Sequence, residues 1–390
     1  MTQRTLQLDK FRPGFTDDEL ASLQDSLRSA KLPTATYASK QEKYGITHEW
    51  MEEALARWKD GFSWKAYEDK INAVDHYLTT IEDEGHQYEV HFIYHESKDP
   101  KAIPLMLLHG WPGSAFEFLD AVKILRESTS PAFHLIAPML PGYGWSSPPP
   151  LDRGFGMDDC ARILDKLMAG LGYSEGYAVQ GGDIGSGLAR ILACEYDRCK
   201  VINVNYLPAV APPDGFCEKD LKEHEKANLE RGKSFQATGR GYAIEQATRP
   251  GTIGIVVGSS PIALLAWLAE KFRDWTDNTP TVEEQLAIAT FWWLSESYPS
   301  SIWAYADAEL LQTGISALHN DSKYYLKKPF GYSSFAKELS TTPEAWAGRN
   351  GNLQFYRYHS KGGHFASSEQ PELFAQDMKD CFGKLWPTVA

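Results

Sequence analysis

The sequence has little of what a disulfide framework, a structural zinc site or a membrane span requires. Its five cysteines are scattered and form no C-x-x-C pair, which excludes the spacing typical of disulfide-rich and zinc-binding domains. The longest apolar run, at residues 262–269, is far shorter than the ~20 residues that cross a bilayer. No apolar stretch of signal-peptide length follows Met1. We therefore expect a soluble, cytoplasmic protein with reduced thiols, no metal and no membrane partner.

Positive charge is scarce as well. The 390 residues include 39 Lys and Arg against 52 Asp and Glu, which gives a net charge of -13 at pH 7. An acidic protein is repelled by nucleic acids and by anionic membranes, so neither is an expected partner. Hydrophobic residues make up 43% of the chain, which is enough to bury a large core. A small neutral ligand fits this composition best.

The apolar periodicity changes along the chain. Residues 10–80 predict helices, since Thr16 and Glu19 have the spacing of a capping box and an apolar stripe follows helical spacing at residues 50–58. From Tyr88 the period becomes two, as in a half-buried antiparallel strand. Short apolar runs then alternate with helical patterns, which predicts an α/β fold with a mostly parallel sheet covered by helices on both faces. Strands are predicted at residues 88–94, 104–108, 135–139, 177–180, 201–206, 331–335 and 353–358.

Strand patterns are absent from a long central stretch. After residue 206, and up to about residue 325, a Pro-rich stretch is followed by aromatic helices predicted at 261–275 and 281–311. We interpret this stretch as a helical cap inserted between the sixth and seventh strands of the α/β fold, which correspond here to the runs at residues 201–206 and 331–335. The predicted organisation is a helical N-terminal segment (1–85) that wraps the core, a first core part (86–207), the cap (208–325) and a second core part (326–390).

The segment Gly-Gly-Asp-Ile-Gly at residues 181–185 lies between a predicted strand and a predicted helix. A G-x-Nu-x-G turn of this kind holds a nucleophile above a sheet, and here the central residue is Asp183. A lone Asp between glycines is more often only a turn residue, so this interpretation needs the other motifs. An attacking carboxylate forms an alkyl ester, which requires an electrophilic sp³ carbon with a leaving group. Epoxides and carbon–halogen bonds meet that requirement.

Two further motifs fall where partners of Asp183 are expected. The sequence His-Gly-Trp-Pro-Gly-Ser at residues 109–114 follows a predicted strand and predicts an oxyanion-stabilising loop, in which the N–H of Trp111 acts with the N–H of Ile184. Gly-Gly-His at residues 362–364 follows the last predicted strand, at the edge where catalytic groups of such sheets gather. His364 is therefore the predicted base.

The remaining polar residues are assigned by their order in the chain. Glu338 comes after the predicted seventh strand and before His364, which gives the order nucleophile, acid, histidine of such hydrolases. Asp321 or Glu344 could take the same role, but Glu338 is preferred. His109 is interpreted as a structural residue.

Taken together, these motifs resemble those of the epoxide hydrolases of the α/β-hydrolase superfamily, in the branch with microsomal and fungal soluble enzymes. The resemblance covers nearly the whole chain and implies the α/β-hydrolase fold. The cap tyrosines with which that family holds the epoxide oxygen match Tyr242 and Tyr305. It implies that a small hydrophobic epoxide and water give a vicinal diol through an ester on Asp183, which His364 then hydrolyses. Neither a metal nor an organic cofactor is implied, the soluble type is favoured, and a homodimer is compatible with the resemblance.

Other functions share part of this pattern. A haloalkane dehalogenase would use the same Asp nucleophile and His base, with Trp111 as a halide donor, but Tyr242, Tyr305 and the N-terminal segment favour the epoxide. A serine esterase is disfavoured because Asp183 stands where such an enzyme has Ser. A hydrolase-fold binding protein without activity is the third alternative, against which the full set of triad and tyrosine residues argues.

Overall fold

The computed structural model of the protein describes residues 3–208, 211–306, 318–319 and 321–389. In this part of the chain the centre is a sheet of nine strands. The strands are Asp9–Phe11 (β1), His76–Asp83 (β2), His86–His95 (β3), Ile103–Leu108 (β4), Phe133–Pro138 (β5), Tyr177–Gly181 (β6), Cys199–Val204 (β7), Leu326–Lys337 (β8) and Gly351–Gly363 (β9).

The sheet order is β1-β2-β3-β5-β4-β6-β7-β8-β9. The pairs β1–β2, β2–β3 and β3–β5 are antiparallel, and the remaining neighbours are parallel. Every residue of β4, β5 and β6 is buried, as expected where helices cover both faces of a parallel sheet. The carboxyl ends of β4, β6, β8 and β9 therefore meet at one edge, where the sequence motifs are found.

The helices fall into four groups along the chain. Those before β2 are Asp17–Ser29 (α1), His48–Asp60 (α2) and Trp64–Ile71 (α3). Those between β4 and β7 are Leu119–Leu125 (α4), Met157–Gly170 (α5) and Ile184–Glu195 (α6). Those described between β7 and β8 are Glu223–Ser234 (α7), Gly241–Thr248 (α8), Pro250–Gly258 (α9), Pro261–Asp274 (α10), Val282–Leu294 (α11), Tyr298–Ser301 (α12) and Trp303–Ala306 (α13). Those after β8 are Glu344–Ala347 (α14), Ala366–Glu369 (α15) and Pro371–Leu385 (α16).

The sequence pattern predicted a helical N-terminal segment over residues 1–85, but the structure has strands there as well as helices. Helix α1 begins with the predicted capping box of Thr16 and Glu19. Strands β1 and β2, however, extend the sheet on its antiparallel side. A tight turn at Glu84 and Gly85 joins β2 to β3. Both residues have positive φ, 49° and 84°, as two-residue hairpin turns require. The interpretation as helix was wrong for these two strands.

The predicted helix at residues 281–311 is broken into shorter helices. Helix α11 ends at Leu294, Glu296 follows with φ of 51°, and Pro299 lies in the first turn of α12. Proline is tolerated in a first helical turn but not in a helix interior, which accounts for the new start. The end of that prediction, residues 307–311, lies outside the described residues. So does the rest of 307–317, together with residues 209–210 and 320 of the predicted cap segment.

Helices α1 and α2 pack against α10 and α11, which lie between β7 and β8. Their contact forms an apolar cluster separate from the main core. The indole N–H of Trp58 donates to the Thr290 hydroxyl at 3.0 Å inside the structure. The N-terminal helices thus stabilise the helices of the predicted cap. Buried members of the cluster are Leu23, Leu27, Met51, Ala54, Leu55, Trp58, Ile262, Leu265, Ala269, Leu286 and Ala289.

Within the described ranges, no helix has both the length and the apolar composition that crossing a bilayer demands. Helices α9 and α10 satisfy that test only when joined, and they meet at a bend of 112°.

Candidate active site

The turn between β6 and α6 presents Asp183. This residue precedes α6 and has φ of 47° and ψ of -125°, a conformation that residues with a side chain rarely adopt. Its glycine neighbours make the turn fit. A Cβ on Gly181 would collide with the carbonyl of Gly185, and a Cβ on Gly185 would collide with the carbonyl of Leu108. The strained turn of the predicted nucleophile motif is therefore present in the fold.

The loop after β4 reaches the Asp183 carboxylate. The N–H of Trp111 donates to Asp183 Oδ1 at 2.8 Å, and the bond between Trp111 and Pro112 is cis. Ile184 is the first residue of α6, so its N–H has no acceptor within the helix. In the described part of the chain, no hydrogen bond joins that N–H to Asp183. Of the two predicted donors, the structure places Trp111 on the carboxylate, and the role of Ile184 stays a prediction.

His364 lies between two carboxylates. Its Nδ1–H donates to Glu338 Oε1 at 2.6 Å, and its Nε2 is 3.3 Å from Asp183 Oδ2. Glu338 follows β8 directly and is buried, and its Oε1 also accepts the N–H of Leu339 at 2.6 Å. The backbone N–H of His364 donates to the carbonyl of Trp275 at 2.9 Å. The structure thus brings together the three residues that sequence order assigned to one triad.

The two carboxylates control the charge of His364. Burial on its own would lower the pKa of His364, but the charges and hydrogen bonds of Glu338 and Asp183 raise that pKa well above its ordinary value. The imidazolium form is therefore favoured while Asp183 carries its negative charge. Removing the charge of Asp183 would remove one of the two causes that raise the pKa.

Tyr242 and Tyr305 lie on α8 and α13, and both face the loop after β4. The ring of Tyr242 stacks on Trp111 at 5.3 Å between centroids, and Tyr305 meets the same indole edge-on at 5.7 Å. The rings of the two tyrosines meet edge-on, with 5.9 Å between their centroids. Burial is the main cause that raises the pKa of both phenols, and the Asp183 charge raises both further. Both predicted tyrosines therefore lie close to the Asp183 site in protonated form.

His109 has the structural environment expected for it. Its Nδ1–H donates to the carbonyl of Gly110 at 3.0 Å, and its Nε2 accepts the N–H of Leu140 at 3.1 Å. Both ring nitrogens are used by the backbone, so the neutral ring is fixed in one tautomer. Burial lowers the pKa of His109 to about 4.

The two alternative acids lie elsewhere. Asp321 accepts the backbone N–H of Lys323 at 2.8 Å. Glu344 forms an ion pair with Lys222 at 2.9 Å on the surface. Glu338 is the carboxylate that contacts the Nδ1 atom of His364.

Sequence reasoning missed two residues of this site. Glu117 accepts the Ser367 hydroxyl at 3.4 Å, and burial raises the pKa of Glu117 to about 8, although nearby His364 lowers it. The capping-box spacing of Ser114 and Glu117 was its available signal. The second residue is Trp275, which follows the end of α10 and has its ring centroid 5.2 Å from that of His364. It had no comparable signal because it lies far from the motifs in the sequence.

One group of described carboxylates has spacing compatible with a cation. The oxygens of Asp83, Glu84 and Asp159 lie within 4.8 Å of one another. Arg162, however, donates to Asp83 at 2.7 Å and to Asp159 at 2.6 Å. Arg153 and Lys166 also pair with these carboxylates, so we interpret the group as an ion-pair network.

An open cleft of about 1330 Å³ is lined by Tyr242 and Trp275 on one side and by Leu339, next to Glu338, on the other. Its lining is mixed, because charged side chains such as Glu270, Lys271 and Asp274 lie beside the aromatic rings.

Comparisons with known proteins agree with this geometry. A family model described as "Epoxide hydrolase N terminus" matches residues 8–118, and one described as "alpha/beta hydrolase fold" matches residues 103–305. The solved epoxide hydrolase of Aspergillus niger is 39% identical, with a TM-score of 0.90 and 98% of each chain covered. The juvenile hormone epoxide hydrolase of the silkworm Bombyx mori is 25% identical, with a TM-score of 0.85, and the match covers 99% of this chain and 96% of that one.

A mammalian relative extends the same similarity. Epoxide hydrolase 1 of Sus scrofa is 30% identical over 414 aligned positions, which cover 96% of this chain and 88% of that protein. The haloalkane dehalogenase alternative is not favoured by these matches. Because the similarity runs through the N-terminal segment, the sheet and the helices between β7 and β8, the chain belongs to the epoxide hydrolase family of the α/β-hydrolase fold.

Proposed function

We propose that this chain hydrolyses a small hydrophobic epoxide in two steps, beginning with attack by Asp183. The hydrogen bond from the Trp111 N–H occupies Oδ1, which leaves Oδ2 to attack an epoxide carbon. A bond forms between Oδ2 and that carbon while the carbon–oxygen bond of the ring breaks. Tyr242 and Tyr305 supply a proton and a hydrogen bond to the released oxygen, since an unassisted alkoxide is a poor leaving group.

In the second step, His364 activates water against the ester on Asp183. Esterification neutralises Asp183, which removes one of the charges that raise the pKa of His364. The imidazolium then gives up its Nε2 proton, which solvent carries to the phenolate, and the neutral imidazole accepts a proton from water while Glu338 continues to hold its Nδ1–H. The hydroxide attacks the ester carbon, and the Trp111 N–H holds the oxyanion that develops on Oδ1. The bond between the ester carbon and Oδ2 then breaks, and the departing diol oxygen takes the proton of the added hydroxyl. This step restores the Asp183 carboxylate beside the His364 imidazolium.

The observation that carries this proposal is the linked set of contacts around one carboxylate. Asp183 contacts the Trp111 N–H on one oxygen and His364 on the other. The same indole contacts both tyrosines. A nucleophile, a base and two acids are thus grouped around the space that an epoxide would fill. The rings of Trp111, Tyr242 and Tyr305 near Asp183 support an apolar substrate, because such rings offer contact area without charge.

The test is to separate the two steps with His364→Ala. The variant is incubated with styrene oxide and analysed by mass spectrometry, beside wild-type enzyme assayed for diol. We expect an adduct of one epoxide mass on the peptide containing Asp183, and diol from the wild type alone. The Asp183→Ala/His364→Ala double variant is the matched control and should carry no adduct. Diol production by Asp183→Ala, or an adduct on another residue, would contradict the mechanism.

Two related expectations are checked separately. Release of chloride or bromide from a haloalkane would favour the dehalogenase alternative, and epoxide binding without turnover would favour a binding protein. A homodimer remains a prediction, which sedimentation equilibrium of the purified protein can check.

A further inference from the structure

A buried lysine lies against the ring of Tyr242 and has no role in the two steps above. Lys271 is on α10, and only 2% of its surface is exposed. Its Nζ is 5.1 Å from the centroid of the Tyr242 ring and 4.6 Å from that of the Trp267 ring. Burying an ammonium group is unfavourable unless its surroundings compensate, so this arrangement calls for an explanation.

The surroundings keep Lys271 charged. Its Nζ contacts the Glu270 carboxylate, and two aromatic faces attract an ammonium through their quadrupoles. Burial is the largest influence and lowers the pKa of Lys271 below its ordinary value, while Glu270 and Asp274 oppose that fall. The Glu270 side chain is 37% exposed, so solvent screens its field more than it screens the contact with Tyr242.

A packing role alone would not require a cation at this position. The Tyr242 ring already stacks on Trp111, and a Met side chain could fill the place of the lysine stem. Burial and the Asp183 charge raise the pKa of the Tyr242 phenol, and both therefore hinder transfer of its proton. A positive charge over the ring has the opposite effect, because it stabilises the electron density that the ring gains as the proton leaves.

We infer that Lys271 is a positioning residue for ring opening, whose ammonium group assists proton donation by Tyr242 to the epoxide oxygen. The inference rests on the proposed function, in which Tyr242 is such a donor. As the ring carbon–oxygen bond breaks, the proton moves from the phenol to the leaving oxygen, and negative charge develops on the phenolate ring. Lys271 contacts that ring before and during the step, but its attraction grows with the charge, so it stabilises the transition state more than the ground state.

The test measures ester formation and ester hydrolysis separately by rapid quench with styrene oxide. Lys271→Met, which keeps the length of the stem, should form the ester roughly tenfold more slowly, equivalent to about 1.4 kcal/mol. Its rate of ester hydrolysis should not change, because Tyr242 takes no part in water activation. Lys271→Arg restores the cation and should recover most of the rate.

Lys323→Met is the matched control. Lys323 is exposed, lies outside the lining of the cleft, and holds its Nζ 4.6 Å from the ring centroid of Tyr324. The substitution removes the same charge and the same kind of ring contact, but at a tyrosine outside the site. Its rate of ester formation should equal that of the wild type.

A double-mutant cycle assigns the effect to one tyrosine. In a Tyr242→Phe background, Lys271→Met should cause no further loss of ester formation, whereas in a Tyr305→Phe background it should still slow that step. Equal losses in both backgrounds, equal losses for Lys271→Met and Lys271→Arg, or parallel losses in both chemical steps would overturn the inference. An unchanged rate in Tyr242→Phe alone would instead refute the donor role in the proposed function. Lys271→Gln replaces the Met variant if that protein does not fold.

Discussion

Replacing Glu338 by Gln removes one negative charge from the triad while preserving the size of the side chain. Oε1 accepts two hydrogen bonds of 2.6 Å, from His364 Nδ1 and from the Leu339 N–H. An amide oxygen at the same place could accept both, so the fold and the orientation of the imidazole should persist. What changes is the stabilisation of the imidazolium that forms when His364 takes a proton from water.

The size of that change follows from the geometry. Two unit charges about 4 Å apart attract one another by about 4 kcal/mol at an effective dielectric constant of about 20. A hydrogen bond to a charged group exceeds a neutral one by about 1–2 kcal/mol, which sets a lower bound. Each 1.36 kcal/mol corresponds to about tenfold in rate. Ester hydrolysis in Glu338→Gln should therefore be roughly 10- to 1000-fold slower than in the wild type.

The first step should respond differently. Without the Glu338 charge the pKa of His364 falls, and the imidazole attracts the Asp183 carboxylate less strongly. Attack of that carboxylate on the epoxide should therefore be no slower than in the wild type. The ester should then accumulate during turnover, which rapid quench and mass spectrometry of the Asp183 peptide can detect. Glu344→Gln, which changes the alternative carboxylate on the surface, is the control and should leave both rates unchanged. Normal hydrolysis in Glu338→Gln, or an equal fall of both rates, would refute this reasoning.

Three further changes probe the site and its support. Tyr242→Phe and Tyr305→Phe should each slow ester formation by about 10²–10³-fold, as does loss of one oxyanion donor elsewhere, and rapid quench with the double variant should show almost no ester. His109 has a pKa lowered to about 4, so its contribution is present above pH 6.5 and is lost as the pH falls towards 4. His109→Gln should therefore reduce the loss of unfolding free energy in that window, by up to about 3 kcal/mol, which urea titrations at several pH values measure. Gly185→Ala places a Cβ against a backbone carbonyl of β4 and should lower the free energy of unfolding by about 3 kcal/mol, whereas Gly348→Ala, with open space at its Cβ, should not lower it.

The parts of the fold that sequence could predict are those with strong apolar runs. Strands β4, β5 and β6 are buried throughout, so their sequences are almost purely apolar and mark both their position and the parallel sheet. Strand β2 includes exposed and half-buried residues, and its turn, Glu84-Gly85, is a weaker signal than Asn-Gly or Asp-Gly. It was therefore interpreted as part of a helical segment.

The residues of the site also differ in how far the sequence could predict them. Asp183 lies two residues after the end of β6, and Glu338 and His364 directly follow β8 and β9, so the alignment of the parallel strands brings them together. Chain order favoured Glu338 as the acid but left Asp321 and Glu344 as alternatives. Lys271 lies on α10 and Trp275 follows the end of that helix, and their contacts with Tyr242 and His364 arise from the packing of this helix on its neighbours. No periodicity in the sequence encodes which residue of one helix faces a given residue of another.

The proposed chemical roles are divided between two parts of the structure whose relative position must be maintained. Asp183, Glu338 and His364 are held by the ends of strands, whereas Tyr242 and Tyr305 lie on helices between β7 and β8. Two kinds of contact link these parts. Around the site, the Trp275 carbonyl binds the His364 N–H, and Trp111 contacts both tyrosines. On the outside, α1 and α2 form an apolar cluster with α10 and α11. Because Lys271 lies on α10 and Trp275 follows its end, the packing of α1 and α2 on α10 also helps to hold these two residues beside Tyr242 and His364.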